Sequence, residues 1–138
     1  MNWMILPYRR YAEFSGRSRR KEYWGFALFY ILVMLVLNAI FGTNEVTRGN
    51  GAFVYGSRLV GTGGWIGGLF WLVSIVPGFA VSVRRLHDQD RSGWLLLLWL
   101  VPFLGWFALF VLMCLDGTRG PNRFGPDPKN PTPADVFT

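Results

Sequence analysis

The sequence predicts an all-α, polytopic helical membrane protein with about three hydrophobic segments, the last one kinked or re-entrant, behind a short basic N-terminal interfacial segment. Two observations carry this. First, hydrophobic residues make up 51% of the 138 residues and charged ones only 16%, where a soluble domain carries about a quarter. Second, the deficit is concentrated in three runs without one Asp, Glu, Lys or Arg: 20 residues at 23–42, 25 at 59–83 and 22 at 94–115. A helix rises about 1.5 Å per residue, so each run is long enough to cross a hydrocarbon core of about 30 Å. In lipid every backbone N–H and C=O must bond internally, and a helix achieves that. One such run is compatible with a buried core helix; three leave too few polar residues to coat a soluble globule.

Residues 1–22 come first. Trp3, Met4, Ile5, Leu6, Tyr8, Tyr11 and Phe14 alternate with Arg9, Arg10, Arg17, Arg19, Arg20 and Lys21. A basic, aromatic segment of this kind suits an anionic membrane surface, and Pro7 interrupts any helix in it. The whole-chain charge of +6 raises the question of nucleic acid, but six of the fourteen Lys and Arg sit in this juxtamembrane cluster. Positive-inside bias explains them without a nucleic-acid partner. The run at 23–42 exceeds the h-region of a cleavable signal, typically about 7–15 residues, and lacks an A-x-A-like exit, so it reads as a retained span.

Residues 43–58 contain Asn44, Gly49, Asn50, Gly51, Gly56 and Ser57, turn and loop formers that predict a loop. The second run, at 59–83, holds two overlapping G-x-x-x-G pairs, Gly63/Gly67 and Gly64/Gly68. Without side chains there, another helix can approach closely, within the chain or in a second copy. Pro77-Gly78 predicts a kink. The third run, 94–115, has Pro102-Phe-Leu-Gly105 near its middle. A kinked single span is the simpler reading; a re-entrant hairpin of two half-helices, each reaching only about 15 Å, is the alternative. With three full spans, nine Lys and Arg share the side of the N-terminus against five opposite; with a hairpin the split is twelve to two. Either count makes the N-terminus cytoplasmic. After residue 115 comes G-T-R-G-P-N-R-F-G-P-D-P, too rich in Gly and Pro for regular structure, and 129–138 reads as a frayed tail. The chain thus divides into the basic segment 1–22, one membrane domain over 23–128 and that tail. The single cysteine, Cys114, allows no internal disulfide and reads as packing.

Between the last two runs stands R-R-L-H-D-Q-D-R-S-G-W, residues 84–94, which includes the only histidine. If the second helix continues past Val83, then Arg84, His87, Asp88 and Arg91 fall on one face. Asp88 then pairs with Arg84 or Arg91. One imidazole with Asp88 and Asp90 and no nearby thiol is a poor metal set, so no metal and no cofactor are expected. His87 with Asp88 or Asp90 makes a chemically sensible acid/base pair, but no nucleophile or substrate pocket is visible. Arginines at headgroup level bind anionic lipids through forked geometry.

Three polar stretches, F-S-G-R-S-R-R-K-E-Y-W at 14–24, R-R-L-H-D-Q-D-R-S-G-W at 84–94 and G-T-R-G-P-N-R-F-G-P-D-P at 117–128, resemble the signature segments of the domain-of-unknown-function 805 family, small bacterial inner-membrane proteins. The likeness runs from residue 3 to about residue 130. It implies an integral protein of the bacterial inner membrane and no particular activity. By the same likeness, Arg17, Arg20, Glu22, Arg84, Arg85, His87, Asp88, Arg91, Asn122 and Arg123 are the candidates for contact with lipid, an anion or a partner, with no catalytic residue among them. The stretch 43–64 is longer and richer in glycine than the family's pattern. If the three signatures meet, they form one cytoplasmic polar site.

The expectation is therefore a non-enzymatic membrane interaction or assembly protein. Its partners would be membrane lipids with anionic headgroups and further copies of itself or other membrane proteins, and no nucleic acid. A small oligomeric transporter or channel subunit is the first alternative, weakened because Asn38, Thr62, Ser74 and Ser82 are the few polar residues named inside the runs where a conduction path needs several. An interfacial enzyme using His87 is the second.

Overall fold

The computed structural model describes residues 3–49 and 52–129. In chain order these form a one-turn helix α1 (Leu6–Arg9), a long helix α2 (Arg20–Phe41), strands β1 (Gly42–Gly49) and β2 (Ala52–Leu59), a second long helix α3 (Gly61–Asp88), a 3-10 helix (Gly93–Leu100) and a short helix α4 (Leu104–Cys114). Both α2 and α3 are long and apolar enough to cross a membrane. Their 22 and 28 residues reach about 33 and 42 Å. The surplus of α3 over a core of about 30 Å lets it carry residues 84–88 in helix past its apolar stretch.

Burial is inverted relative to a soluble protein. Arg84 and Arg85 are among the largest fully buried side chains, while Leu35, Ile40, Trp65, Leu69, Leu100 and Leu104 are each more than half exposed. Apolar patches of this extent are unusual on soluble monomers and suit lipid, while arginine is rarely buried without partners, and carboxylates supply them here.

The segment between the long helices corrects the all-α expectation. Instead of a loop, β1 and β2 pair antiparallel from Gly42↔Leu59 to Gly49↔Ala52. Val46, Thr47, Phe53, Val54 and Tyr55 favour extended backbone. Asn-Gly, the dipeptide at 50–51 between the strands, is the strongest short-range signal for a two-residue hairpin; those two residues lie outside the described ones.

The glycines of α3 face different neighbours. A Cβ on Gly63 would overlap the Phe41 side chain, one on Gly67 would lie 2.6 Å from Leu59 Cδ1 and one on Gly64 3.2 Å from the Leu59 carbonyl, while Gly68 meets nothing within 4 Å. Three of them thus close on the end of α2 and the end of β2. Pro77 is buried inside α3, which continues across it.

The third run is not one helix. It breaks at residues 101–103, where Phe103 adopts φ 59°, and the 3-10 helix and α4 fold back on one another. Trp106 Nε1 donates to the Trp99 carbonyl at 2.9 Å, and Gly105 lies so close to the Leu98 carbonyl that a Cβ would overlap it. The 8 and 11 residues of these helices each reach about 16 Å, half a hydrocarbon core. Leu109 and Met113 of α4 join Leu86 in a small apolar core against which Tyr23, Leu95, Leu96, Leu98 and Leu112 pack. This hairpin replaces the kinked single span that the sequence favoured. A proline followed by a positive-φ residue costs the helix more than a kink does.

The N-terminal segment is also more deeply engaged than a surface-lying helix. Tyr8 packs its ring against Phe26, Phe29 and Phe70. Its hydroxyl donates to Ser74 Oγ at 2.7 Å, and Ser74 in turn donates to the Phe70 carbonyl at 2.7 Å. Ser74 lies about 21 Å along α3 from Asp88, so the segment fills the notch between α2 and α3.

The hairpin can be tested with two glycines. Gly105→Ala should lower the stability of the detergent-solubilised protein by about 1–3 kcal/mol, the usual cost of overpacking. Gly68→Ala, in open space, should raise it by up to about 1 kcal/mol, the helix-propensity difference. Thermal melts of the two variants beside the parent chain read both signs.

Candidate functional site

The site begins where α3 stops. The helix ends at Asp88 with Gln89 as its cap. Asp90 follows in a left-handed conformation, φ 57°, so the Arg91 N–H reaches the Leu86 carbonyl and the Asp90 N–H the His87 carbonyl, both at 3.0 Å. This is the Schellman arrangement, with aspartate where glycine is usual. The turn takes Arg91 off the helical face on which the sequence had set it beside Arg84, His87 and Asp88. Asp88 therefore pairs with neither Arg84 nor Arg91.

Its partners are Arg17 and Arg85. Arg17 Nε donates to Asp88 Oδ1 at 3.0 Å, and Arg85 Nη1 donates to Asp88 Oδ2 at 2.6 Å. All three side chains are buried. Terminal nitrogens of both guanidiniums also reach backbone carbonyls of the segment after α4, while Arg85 Nε is buried without a hydrogen-bond partner among the described residues. Arg17 Nη1 reaches Gly120 and Arg17 Nη2 reaches Thr118, each at 2.6 Å, and Arg85 Nη2 donates to Leu115. The Thr118 N–H returns to the Asp88 carbonyl at 2.8 Å. Gly117 abuts the Asp88 carboxylate so closely that a Cβ would overlap it. One carboxylate thereby ties the N-terminal segment, the end of α3 and the chain after α4 into a single unit. Only arginine, with five donors in a rigid fork, makes this set of bonds from one side chain.

A second buried pair lies beside it. Arg84 Nη2 is 3.1 Å from Glu22 Oε1, joining α3 to the first turn of α2, and Ser18 N–H donates to the Arg84 carbonyl at 3.1 Å. The Arg84–Glu22 approach is an ion pair at angles outside hydrogen bonding. Arg84 Nη1 and Nη2, Glu22 Oε1 and Ser18 Oγ are thus buried without a hydrogen-bond partner among the described residues.

His87 stands apart from the carboxylates. Its Nδ1 faces the Gly16 carbonyl at 3.3 Å, and its ring stacks on Phe124 with centroids 3.8 Å apart. Asp88 is taken by two arginines and Asp90 by Arg123 at 3.1 Å, so neither orients the imidazole. Asn122 Nδ2 donates to the His87 carbonyl at 2.9 Å. On the outer rim, Asp116 bridges Arg20 at 2.8 Å and Lys129 at 2.7 Å, and these contacts, led by Lys129, hold its carboxyl below the ordinary range. Asp127 accepts from the Lys129 N–H at 2.8 Å and the Gly120 N–H at 3.0 Å; the Lys129 N–H is the main reason that its carboxyl is also held low. Among the described residues no three His, Cys, Asp or Glu side chains gather as a metal site.

Of the ten candidates, nine make contacts around this end of α3: Arg17, Glu22, Arg84, Arg85, His87, Asp88 and Asn122 at its centre, with Arg20 and Arg123 on the rim. Arg91 is exposed, and its side chain has no partner among the described residues. Sequence reasoning missed Phe124, Gln89, Asp116 and Asp127, along with every carbonyl that receives an arginine. Carbonyls carry no sequence signal, since each residue has one. Asp127 stands within the third signature, G-T-R-G-P-N-R-F-G-P-D-P.

Asp88→Asn strands two buried guanidiniums and should cost about 3–5 kcal/mol, whereas Asp90→Asn at the exposed Arg123 pair should cost under about 1 kcal/mol. Arg17→Lys should fall near the Asp88 variant, since an ammonium cannot reproduce the fork. Because the carboxyl of Asp127 is lowered in the folded chain, its contribution is complete above the usual carboxylate value of about 4 and is lost as pH falls through the lowered one. Asp127→Ala should therefore flatten the acid side of a plot of melting temperature against pH.

Comparison with known proteins finds relatives along nearly the whole chain. The family model described as protein of unknown function (DUF805) matches residues 11–126. The chain is 40% identical over 129 residues to the inner membrane protein YhaH of Escherichia coli K12, covering 94% of this chain and 98% of that one. It is likewise 40% identical over 129 residues to inner membrane protein YhaI of the same strain, covering 94% and 97%, and 29% identical over 140 residues to YiiR, covering 83% and 85%. No solved structure matches. Two apolar helices, a buried arginine–carboxylate cluster built from three separated signatures, and a family match over residues 11–126 agree: the chain belongs to the DUF805 family and is a protein of the inner membrane.

Proposed function

We propose that the protein is a non-enzymatic interaction subunit of the inner membrane whose cytoplasmic face is held rigid by the Arg17–Asp88–Arg85 cluster and meets anionic headgroups or partners. In this reading α2 and α3 span the membrane, residues 94–115 form a re-entrant hairpin, and the N-terminus and the chain after α4 are both cytoplasmic. One observation carries it: Arg17 bonds both to the end of α3 and to the carbonyls of Thr118 and Gly120, which supports placing all three segments on one side. The charge distribution supports the same reading, because twelve of fourteen Lys and Arg then lie inside. Arg17, Arg84 and Arg85 serve as internal fasteners, and contact with headgroups falls to exposed Arg9, Lys21, Arg91 and Arg119. An acid/base role for His87 lacks an orienting carboxylate, and Ser74 and Ser82 spend their hydroxyls on their own helix, leaving little for a conduction path.

Cysteine accessibility tests the topology. With Cys114→Ser as background, Arg119→Cys in intact cells should resist a membrane-impermeant maleimide and react once the inner membrane is opened, as a cysteine at Lys21 should. Labelling of residue 119 in intact, outer-membrane-permeabilised cells would place it outside and sink the reading.

A further inference from the structure

We propose that a cleft between α3 and the 3-10 helix seats one acyl chain of an anionic glycerophospholipid, with its phosphate at the polar end formed by His87 and Ser92, next to Arg91 in the chain. The proposal rests on the reading above, which sets residues 84–92 at the cytoplasmic headgroup level. The cleft has a volume of about 650 Å³, and Phe79, Val83, Trp94 and Leu97 are among the side chains that line it, with His87 and Ser92 as its polar members. Phe79 and His87 are eight residues apart on α3, about 12 Å, close to the roughly 15 Å of hydrocarbon in one leaflet. The apolar length matches a lipid chain lying along the helix.

The polar end has a defined chemistry. A carbonyl only accepts, so the contact with Gly16 assigns the proton to Nδ1 of His87. Nε2 lies on the opposite side of the ring, toward Gly93, where a Cβ would sit 3.6 Å from it. As a neutral acceptor Nε2 takes a hydrogen from a glycerol hydroxyl; protonated, it donates to a phosphate oxygen. Arg84 and Arg85 are buried against carboxylates, so they bring no free charge to the cleft. Arg91, exposed and adjacent in sequence to Ser92, is the cation available to a phosphate. Trp94, 78% exposed, sits where an amphipathic ring favours the interface. An anionic headgroup meets the positive charge of Arg91 without the ammonium that a zwitterionic lipid would bring against it. A polar peptide would leave its backbone unsatisfied along the apolar lining.

The test is native mass spectrometry of the full chain released from nanodiscs of equal parts phosphatidylglycerol and phosphatidylethanolamine. The parent chain should retain one phosphatidylglycerol with a preference of about tenfold over phosphatidylethanolamine, the effect of one good charge contact. Arg91→Gln should bring that preference close to parity. Leu97→Trp should fill the cleft and reduce retention of both lipids by about tenfold, and soluble glycerol phosphate should not compete. Both substitutions fall on exposed side chains, and unchanged melting temperatures would show that they fold. Equal retention of the two lipids by the parent chain, full retention in Leu97→Trp, or displacement by glycerol phosphate alone would each overturn the site. Cytoplasmic labelling of residue 119 together with any of these outcomes removes the lipid site and leaves the topology standing.

Discussion

The carboxylate of Asp88 is the point on which the rest of the structure depends. It lies in a region shielded from water, where a lone charge is costly, and it is held by guanidiniums from two directions. One comes from its own helix a turn earlier, the other from the N-terminal segment 71 residues away. Each guanidinium also reaches, through its terminal nitrogens, carbonyls that follow α4. The net stability of such a buried pair is often small, because desolvation offsets attraction. Its strength is in geometry: the bonds are satisfied only when three chain segments arrive together.

That geometric role follows from the solvent. Between helices in lipid there is little hydrophobic drive, since a neighbouring leucine is no better than an acyl chain. The apolar surfaces of α2 and α3 therefore say little about which face should meet which. Directional contacts decide instead: Tyr8 with Ser74 in the middle of α3, Arg84 with Glu22 at its end, and the Asp88 cluster beyond. The apolar core, centred on Leu86, Leu109 and Met113, is small and lies beside these polar contacts. The face proposed to meet headgroups and the cleft proposed for a lipid chain both adjoin this cluster, which lies where α3 ends before the 3-10 helix.

Much was legible without coordinates. Three uncharged runs announced the membrane, and the density of ionisable residues at 84–91 marked the end of α3 as the place to look. Less legible were the features that depend on pairing. Asn-Gly between two β-favouring stretches indicates a hairpin only when the stretches are read together. Pro102-Phe-Leu-Gly105 fits a kink as well as a reversal until Gly105 is seen against the Leu98 carbonyl. The assignment of Asp88 to Arg84 or Arg91 followed from helical spacing, but the helix ends at Asp88 and both expected partners turn elsewhere.

By itself, then, the sequence determined the membrane character, the two long helices and the identity of the charged residues, because hydrophobic length and charge are local properties of a chain. Only the tertiary structure decided that the third run turns back, that Arg17 rather than a helical neighbour holds Asp88, and that His87 faces a carbonyl and a phenyl ring rather than a carboxylate. Those outcomes depend on backbone carbonyls and on segments about a hundred residues apart. A carbonyl is the same in every residue, so no side-chain pattern could have revealed which of them a buried guanidinium would find.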